Sequence, residues 1–519
     1  MNSRCLPQGL PGFGELLAYN AAHFGGRIAL RIDEQALSWQ AFAALVRRMR
    51  QALEPLVAPG DRVAIWMHNS MEWAALFLAI HAQGAVSVPV STRLTMAELD
   101  VILRDAGARV LATTAAYRGR SYFDEAAAHV AGSPAPLLVL GVPALGEGAW
   151  LQAGALPPPA LPADLPPDLL CIQYTSGTTS TPKGVMLQAQ GYLRTAAYVA
   201  RCQRLTPSSR FVSAGPFFHC SGSMHALTTC LLAGCTLTSM SIWDPERFLD
   251  IVQRHRCDVA HMVYLRDVLA LGDPAARTRL ESLAVAHDLG SREYLLRLHD
   301  ELGIPGISNI YGMTETAGQF TMWFPDDPLD RRVAANGRPQ PGNAVRIVDP
   351  ATGSVLGPDR AGEIQMRGPT VAPGYFNRPQ ANAEAFTEDG WLRSGDIGSL
   401  SADGELSYLA RAKEIIRSGG ENFAPAEVEQ ALYAWCQPGE VCVLGVPDDR
   451  LDEIPAAVVL STLRSDWQQV LRELRQRMAG FKVPRAVYLT ESFPLTTTNK
   501  VQRNVLREWI ASGRLKRIV

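Results

Sequence analysis

The stretch Leu169-Leu170-Cys171-Ile172-Gln173-Tyr174-Thr175-Ser176-Gly177-Thr178-Thr179-Ser180-Thr181-Pro182-Lys183-Gly184 governs how this chain is read. Its start, Leu169 to Gln173, is nearly all apolar and reads as a buried strand. The remainder gathers hydroxyls, two glycines and one lysine. A hydroxyl-rich turn leaving a strand suits a polyphosphate. Backbone N–H groups and hydroxyls donate to its oxygens, and glycine lets the backbone come close. Lys183 adds a positive charge. The pattern is not a Walker loop, because the spacing from Gly177 to Lys183 is wrong and Gly184 stands where Ser or Thr should follow the lysine. An ordinary surface turn has the same composition, so the choice falls to the rest of the chain.

The chain has 519 residues, too many for one simple core, and its length suggests about three or four units. Its 47% apolar content allows large cores. A net charge of −2 offers no global field for nucleic acid or an anionic membrane. The 9 cysteines include no C-x-x-C pair, and an odd count in a large chain argues against a disulfide scaffold. The 10 histidines show no H-E-x-x-H or similar zinc spacing. Met1-Asn2-Ser3-Arg4-Cys5-Leu6-Pro7 lacks the apolar core of a signal peptide, and no apolar run reaches membrane-spanning length. The expectation is a cytoplasmic protein with no membrane span and no nucleic-acid partner.

Strands and helices alternate over residues 40–115. Arg62 to Trp66 reads as a strand, Trp73 to His81 as a helix, Ala85 to Val90 as a strand, Ala97 to Asp105 as a helix and Ala108 to Ala112 as a strand. Such alternation predicts α/β layers with parallel strands. The proline-rich run Pro157 to Pro167 predicts a surface connector. Asp244-Pro245-Glu246 predicts a helix start, with Phe248, Leu249, Ile251 and Val252 on the buried face. A second boundary falls near Ala410 to Glu414. Beyond it, the spacing predicts a helix from Ala424 with Val428, Ala431, Leu432 and Trp435 on its apolar face, strands at Val441 to Val446 and Ala456 to Leu460, and a helix over 466–479 that buries Trp467, Val470, Leu471, Leu474 and Met478. This is a small α/β unit of about a hundred residues.

Other blocks carry chemistry. Asn309-Ile310-Tyr311-Gly312-Met313-Thr314-Glu315-Thr316 offers an aromatic to stack on a purine, an amide for a base edge and a carboxylate for Mg²⁺. It equally suits a helix N-terminus capped by Thr314 and Glu315. Trp391-Leu392-Arg393-Ser394-Gly395-Asp396 ends in an aspartate that reads as exposed and suits ribose hydroxyls, or else makes an ordinary turn. Pro216-Phe217-Phe218-His219-Cys220-Ser221-Gly222 suits the wall of an acyl pocket, or a core. Lys500 follows the polar turn Pro494 to Asn499; alone it reads as a solvated lysine.

Order and spacing make these blocks a set. From about residue 10 to 510 the chain resembles the adenylate-forming superfamily of acyl-CoA synthetases, peptide-synthetase adenylation domains and firefly luciferase. The resemblance implies an α/β fold with a large N-terminal domain of layered α/β subdomains, 1–410, and a small mobile α+β C-terminal domain, 411–519. It implies a ligase that uses ATP and Mg²⁺ to turn a carboxylic acid into an acyl-adenylate, then transfers the acyl group to coenzyme A. Under that resemblance Thr175, Ser176, Gly177, Thr178, Thr179 and Lys183 cradle the β- and γ-phosphates. Asn309 and Tyr311 bind adenine, Thr314 contacts the α-phosphate and Glu315 holds Mg²⁺. Asp396 and Arg411 bind ribose, Lys500 bridges carboxylate and α-phosphate, and His219 lines or gates the acyl pocket. Lys413 matches the hinge position. Gly419 and Gly420 leave a passage for pantetheine, a form closer to CoA ligases than to carrier-loading domains.

Several positions depart from the family pattern. Ser180, Asn499 and Ala410 replace glycines, and Asp452 stands where glycine is common. The largest departure is Val285-Ala286-His287-Asp288-Leu289-Gly290-Ser291, in place of a Gly-Gly-Ala stretch that flanks adenine and lines the acyl pocket. His287 and Asp288, with His261 and Arg266, make that pocket partly polar or lie on the surface. Fatty, aryl and small polar acids all stay open, as does a monomer or homodimer. The alternatives are an acyl-AMP ligase loading a carrier-protein phosphopantetheine, and a nucleotide-binding regulatory protein that has lost catalysis.

Overall fold

A computed structural model describes residues 11–133, 135–158, 165–166, 168–175, 182–261, 264–418, 421–448, 450–496 and 501–519. The chain gathers into two compact units, Met1–Ala344 with Met366–Leu392, and Val345–Gln365 with Arg393–Val519.

Two seven-stranded sheets organise the first unit. One runs in the order Leu151–Gly154, Leu138–Val142, Val110–Thr114, Arg62–Trp66, Val86–Pro89, Leu169–Thr175, Lys183–Gln188. Its five inner strands are parallel, as the alternation of strands and helices predicts. The edge is an antiparallel pair in which Thr175 lies opposite Lys183. The second sheet runs Gly306–Ser308, Val285–His287, Val259–His261, Arg210–Val212, Thr236–Ser239, Ile28–Ile32, Gln35–Ser38, and is parallel up to its last pairing. Helix Met71–Ala82 is apolar almost all round and buried from Met71 to Ile80 apart from Glu72, as a helix enclosed by packed layers must be. Ser70 caps it by accepting from the Trp73 N–H at 3.1 Å.

The expected helix at Asp244 runs Pro245–His255, with Asp244 accepting from the Arg247 N–H at 2.9 Å and Phe248, Leu249, Ile251 and Val252 buried. Pro157, Pro158, Leu165 and Pro166 stand outside helix and strand, in keeping with a connector.

In the second unit, strands Ala344–Val348, Gly362–Arg367, Leu392–Leu400 and Leu406–Arg411 form one sheet whose strand ends reach the cut between the units. Strands Val441–Asp448 and Asp452–Leu460 pair antiparallel in another. Its helices are shorter than the apolar periodicity predicts. Pro425–Leu432 buries Val428 and Leu432 but stops before Trp435, and Trp467–Leu474 stops before Met478. Neither terminus carries a glycine stop signal, so only the packed structure sets where they end.

Candidate active site

The first unit brings Lys183, Tyr375 and Glu315 together. Lys183 opens the edge strand, and its ammonium lies 5.2 Å from the centre of the Tyr375 ring. The Tyr375 hydroxyl donates to Glu315 Oε1 at 2.8 Å. Tyr375 is held by its backbone: Met186 N–H donates to the Gly374 carbonyl at 3.0 Å and Phe376 N–H to the Gly184 carbonyl at 2.7 Å. Glu315 sits on a single 3₁₀ turn, Thr314–Thr316, rather than at the start of a long helix. The Ala372 N–H donates to its carbonyl at 2.7 Å. Its carboxylate is buried, and among the described residues only Tyr375 bonds it, leaving Oε2 for a hard cation. Ser176, Gly177, Thr178, Thr179 and Ser180 lie outside the described residues.

The Asn309 amide donates to the Gly290 carbonyl at 2.9 Å, and its oxygen accepts from the Ile310 N–H at 3.0 Å. It therefore ties the end of strand Gly306–Ser308 to the 288–291 segment. Tyr311 is buried and bridges Thr321. His219 is half-buried. Its Nδ1 accepts from the Ser221 N–H at 3.2 Å, which places the ring proton on Nε2. Two side chains absent from the sequence expectations hold the His219 loop. Gln173 donates to the Phe218 carbonyl at 2.8 Å, and Asn69 accepts from the Phe217 N–H at 2.7 Å while donating to the Gly215 carbonyl at 3.1 Å.

In the second unit Asp396 corrects the expectation of an exposed aspartate or plain turn. It lies inside strand Leu392–Leu400, 3% exposed, directly opposite Arg411 in register. Arg411 Nη1 meets its Oδ1 at 3.1 Å and donates to the Ser394 carbonyl at 3.1 Å. Gly395, at φ +68°, supplies the left-handed backbone that turns the strand there. Glu414, beside Lys413, pairs with Arg503 at 2.9 Å. Gly419, Gly420, Asn499 and Lys500 lie outside the described residues.

Within the departing stretch Val285, Ala286 and His287 are buried, while Leu289 is exposed. His261 and His287 are completely buried, while Asp288 accepts from the Tyr294 hydroxyl at 2.8 Å and from the Leu289 N–H at 2.8 Å. Burial holds His287 neutral, its pKa pushed down to about 3. Arg266 lies over the Tyr294 ring at 4.9 Å.

The sequence profile of the AMP-binding enzyme family matches residues 17–376, and that of the AMP-binding enzyme C-terminal domain matches 427–500. The chain belongs to the AMP-binding enzymes. Among its relatives is the 3-[(3aS,4S,7aS)-7a-methyl-1,5-dioxo-octahydro-1H-inden-4-yl]propanoyl:CoA ligase of Mycobacterium tuberculosis, 35% identical over 87% of this chain and 89% of that protein. A feruloyl-CoA synthase of Amycolatopsis is 35% identical over 92% and 95%. The solved o-succinylbenzoate CoA synthetase of Bacillus subtilis, in complex with ATP and magnesium ion, superposes with a TM-score of 0.80 at 27% identity, over 95% of this chain and 99% of that one. This AMP-binding enzyme is an AMP-forming acid–CoA ligase, with ATP, Mg²⁺ and coenzyme A as its cofactor and co-substrates. No helix among the described residues is long and apolar enough to cross a membrane.

Proposed function

We propose that the chain activates a ring-bearing carboxylic acid as its acyl-adenylate and passes the acyl group to free coenzyme A. The observation that carries the site assignment is the contact chain Lys183–Tyr375–Glu315. It joins the lysine beside the hydroxyl-rich stretch to a buried carboxylate with one oxygen left over. Adenylation brings anions together, so the site must offset charge and fix the line of attack. Lys183, with Thr175, Ser176, Gly177, Thr178 and Thr179, takes the β- and γ-phosphates. Glu315 holds Mg²⁺, which when bound neutralises charge on the phosphates. Tyr375 keeps the Glu315 carboxylate turned the right way.

Thr314 meets the α-phosphate, and Asn309 and Tyr311 border adenine. Asp396 takes the ribose hydroxyls, oriented by Arg411 across the strand pair. Lys500 bridges carboxylate and α-phosphate. His219, its proton on Nε2, faces the acyl group. Gly419 and Gly420 border the path for pantetheine. The functional division falls at 410/411, with Lys413 at the hinge, and the enzyme works in the cytoplasm. The ring-bearing class is favoured because both relatives named above, each 35% identical, are named for acids built on rings.

A carboxylic-acid panel with ATP, Mg²⁺ and CoA tests this, with AMP and thioester read by mass. Aryl and alicyclic acids are expected to give both products. Adenylate with no thioester for any acid would sink the choice of free CoA. Turnover of straight-chain fatty acids alone would sink the ring-bearing class.

A further inference from the structure

Behind the loop that carries Thr314 and Glu315 lies a buried group of side chains that are polar and uncharged. His261 and His287 end adjacent parallel strands, in register with each other and with Ser308. Gln203, just past helix Ala189–Cys202, places its amide nitrogen 3.2 Å from Nδ1 of both rings. The Gln319 amide nitrogen lies 3.0 Å from His261 Nε2. His225, on the π-helical turn Ser223–Thr228, meets the His261 ring edge-on at 4.8 Å, and its Nε2 packs against Gly318. None of the five is more than 2% exposed.

The position is that of a ligand site. Strands ending at Val212, His261, His287 and Ser308 define the carboxyl edge of the parallel run, and ligands of open α/β sheets bind outside that edge. The same edge sends the chain to His219 and to Asn309–Glu315. A π-turn such as the one bearing His225 frequently marks a functional site.

The group is also unfinished. Among the described residues, His287 Nε2 and the amide oxygens of Gln203 and Gln319 have no hydrogen-bond partner. Buried polar atoms ordinarily find one. Two proton arrangements satisfy the Gln203–His261–His287–Gln319 contacts, because amide oxygen and nitrogen exchange places without changing shape. If Gln203 donates to both Nδ1 atoms, both rings carry their proton on Nε2. His261 then donates to the Gln319 oxygen, and two donors are left unpaired, His287 Nε2–H and the Gln319 amide. If Gln203 accepts from both Nδ1 atoms, the same two places are left as unpaired acceptors. A hydroxyl satisfies either arrangement, and a ketone oxygen satisfies the first.

Among the described residues, the nearby cations are already engaged, Arg266 over the Tyr294 ring beside Asp288. The neighbouring Arg332 is spent on the carbonyls of Ile307, Pro305 and Asp327, and Asp288 turns to Tyr294 and backbone N–H groups. An anion would be buried unpaired.

We propose that His287 and Gln319, backed by Gln203, His261 and His225, recognise an uncharged oxygen substituent, a hydroxyl or ketone, on the acyl group away from its carboxylate. This rests on the acid–CoA ligase reading.

The test uses 3-cyclohexylpropanoic acid, its 4-oxo and 4-hydroxy ring derivatives, 3-phenylpropanoic acid and its 4-hydroxy derivative. Thioester formation is measured with the full chain and with His287→Leu, Gln319→Leu and His287→Gln. An oxygenated acid should lead its unsubstituted parent by about tenfold or more in kcat/KM. His287→Leu should erase that ratio, and His287→Gln should keep part of it. A general packing defect lowers all acids together and leaves the ratio alone. Hydroxyl and ketone favoured alike support the donor arrangement, and hydroxyl alone the acceptor arrangement. No oxygen preference, or one that survives both leucine variants, overturns the proposal. Absence of AMP from every acid overturns the ligase reading and this proposal with it.

Discussion

Tyr375→Phe removes the hydroxyl that bonds Glu315. The substitution keeps the ring under Lys183. Donor and acceptor are buried, at 9% and 8% exposure, so the lost bond is not fully made up by solvent. A hydrogen bond to an ionised group contributes about 1.5–3 kcal/mol net. At about 1.4 kcal/mol per tenfold, that is a factor of roughly ten to a hundred, the range for groups that orient a metal ligand. The assay is ATP–pyrophosphate exchange titrated with Mg²⁺, beside Mn²⁺ binding followed by electron paramagnetic resonance. The half-saturating Mg²⁺ concentration should rise by that factor and Mn²⁺ binding should weaken in parallel. Release of acyl-CoA from preformed adenylate should change little. A variant whose metal titration stays within about twofold of the parent would refute the assignment of Tyr375 as a positioning residue.

His81, His225 and His287 are held neutral by burial with pKa values pushed down to about 3, and His261 is pushed down for the same reason. Unfolding frees them to titrate near 6.5, so the unfolded chain binds more protons below that pH and stability falls as pH drops from about 6.5 toward 3. Urea midpoints at pH 7, 6 and 5 should decline progressively; a flat series would show that these rings are not neutral in the fold. Gly318→Ala adds a Cβ at φ +89° that collides with His225 and meets Cys220 Cβ at 3.0 Å. A loss of about 1–3 kcal/mol is expected in chemical denaturation, and an unchanged midpoint would contradict the packing of His225 there. Arg503→Leu strips the partner from Glu414 and Glu429, which it meets at 2.9 and 2.8 Å. Leaving the largely buried Glu429 unpaired should cost about 3 kcal/mol, read as an earlier unfolding transition.

Where local rules suffice, the fold was legible. The helix at Asp244 needs only a cap, a proline and an apolar stripe, and it forms with the expected residues buried. The alternation over 40–115 gives the parallel strands, since each apolar run is short and bounded. Helix ends at Leu432 and Leu474 were not legible, because neighbouring packing rather than a stop signal ends them. Asp396 was misread for a related reason. Gly-Asp reads as a turn locally, but pairing with strand Leu406–Arg411 buries the aspartate and sets it against Arg411.

By itself the sequence determined which chemistry the chain carries. The hydroxyl-rich stretch, Glu315, Asp396, Arg411 and Lys500 stand in an order that points to adenylation, and order along a chain is a one-dimensional property. Only the tertiary structure decided how Glu315, Asp396 and Arg411 are held. Tyr375 lies sixty residues from Glu315 in the chain, and no local pattern announces that its hydroxyl fixes that carboxylate. The buried histidines and glutamines come from separate strands, turns and a helix end. Their shared orphan atoms arise from desolvation by long-range packing, which no local window of sequence contains.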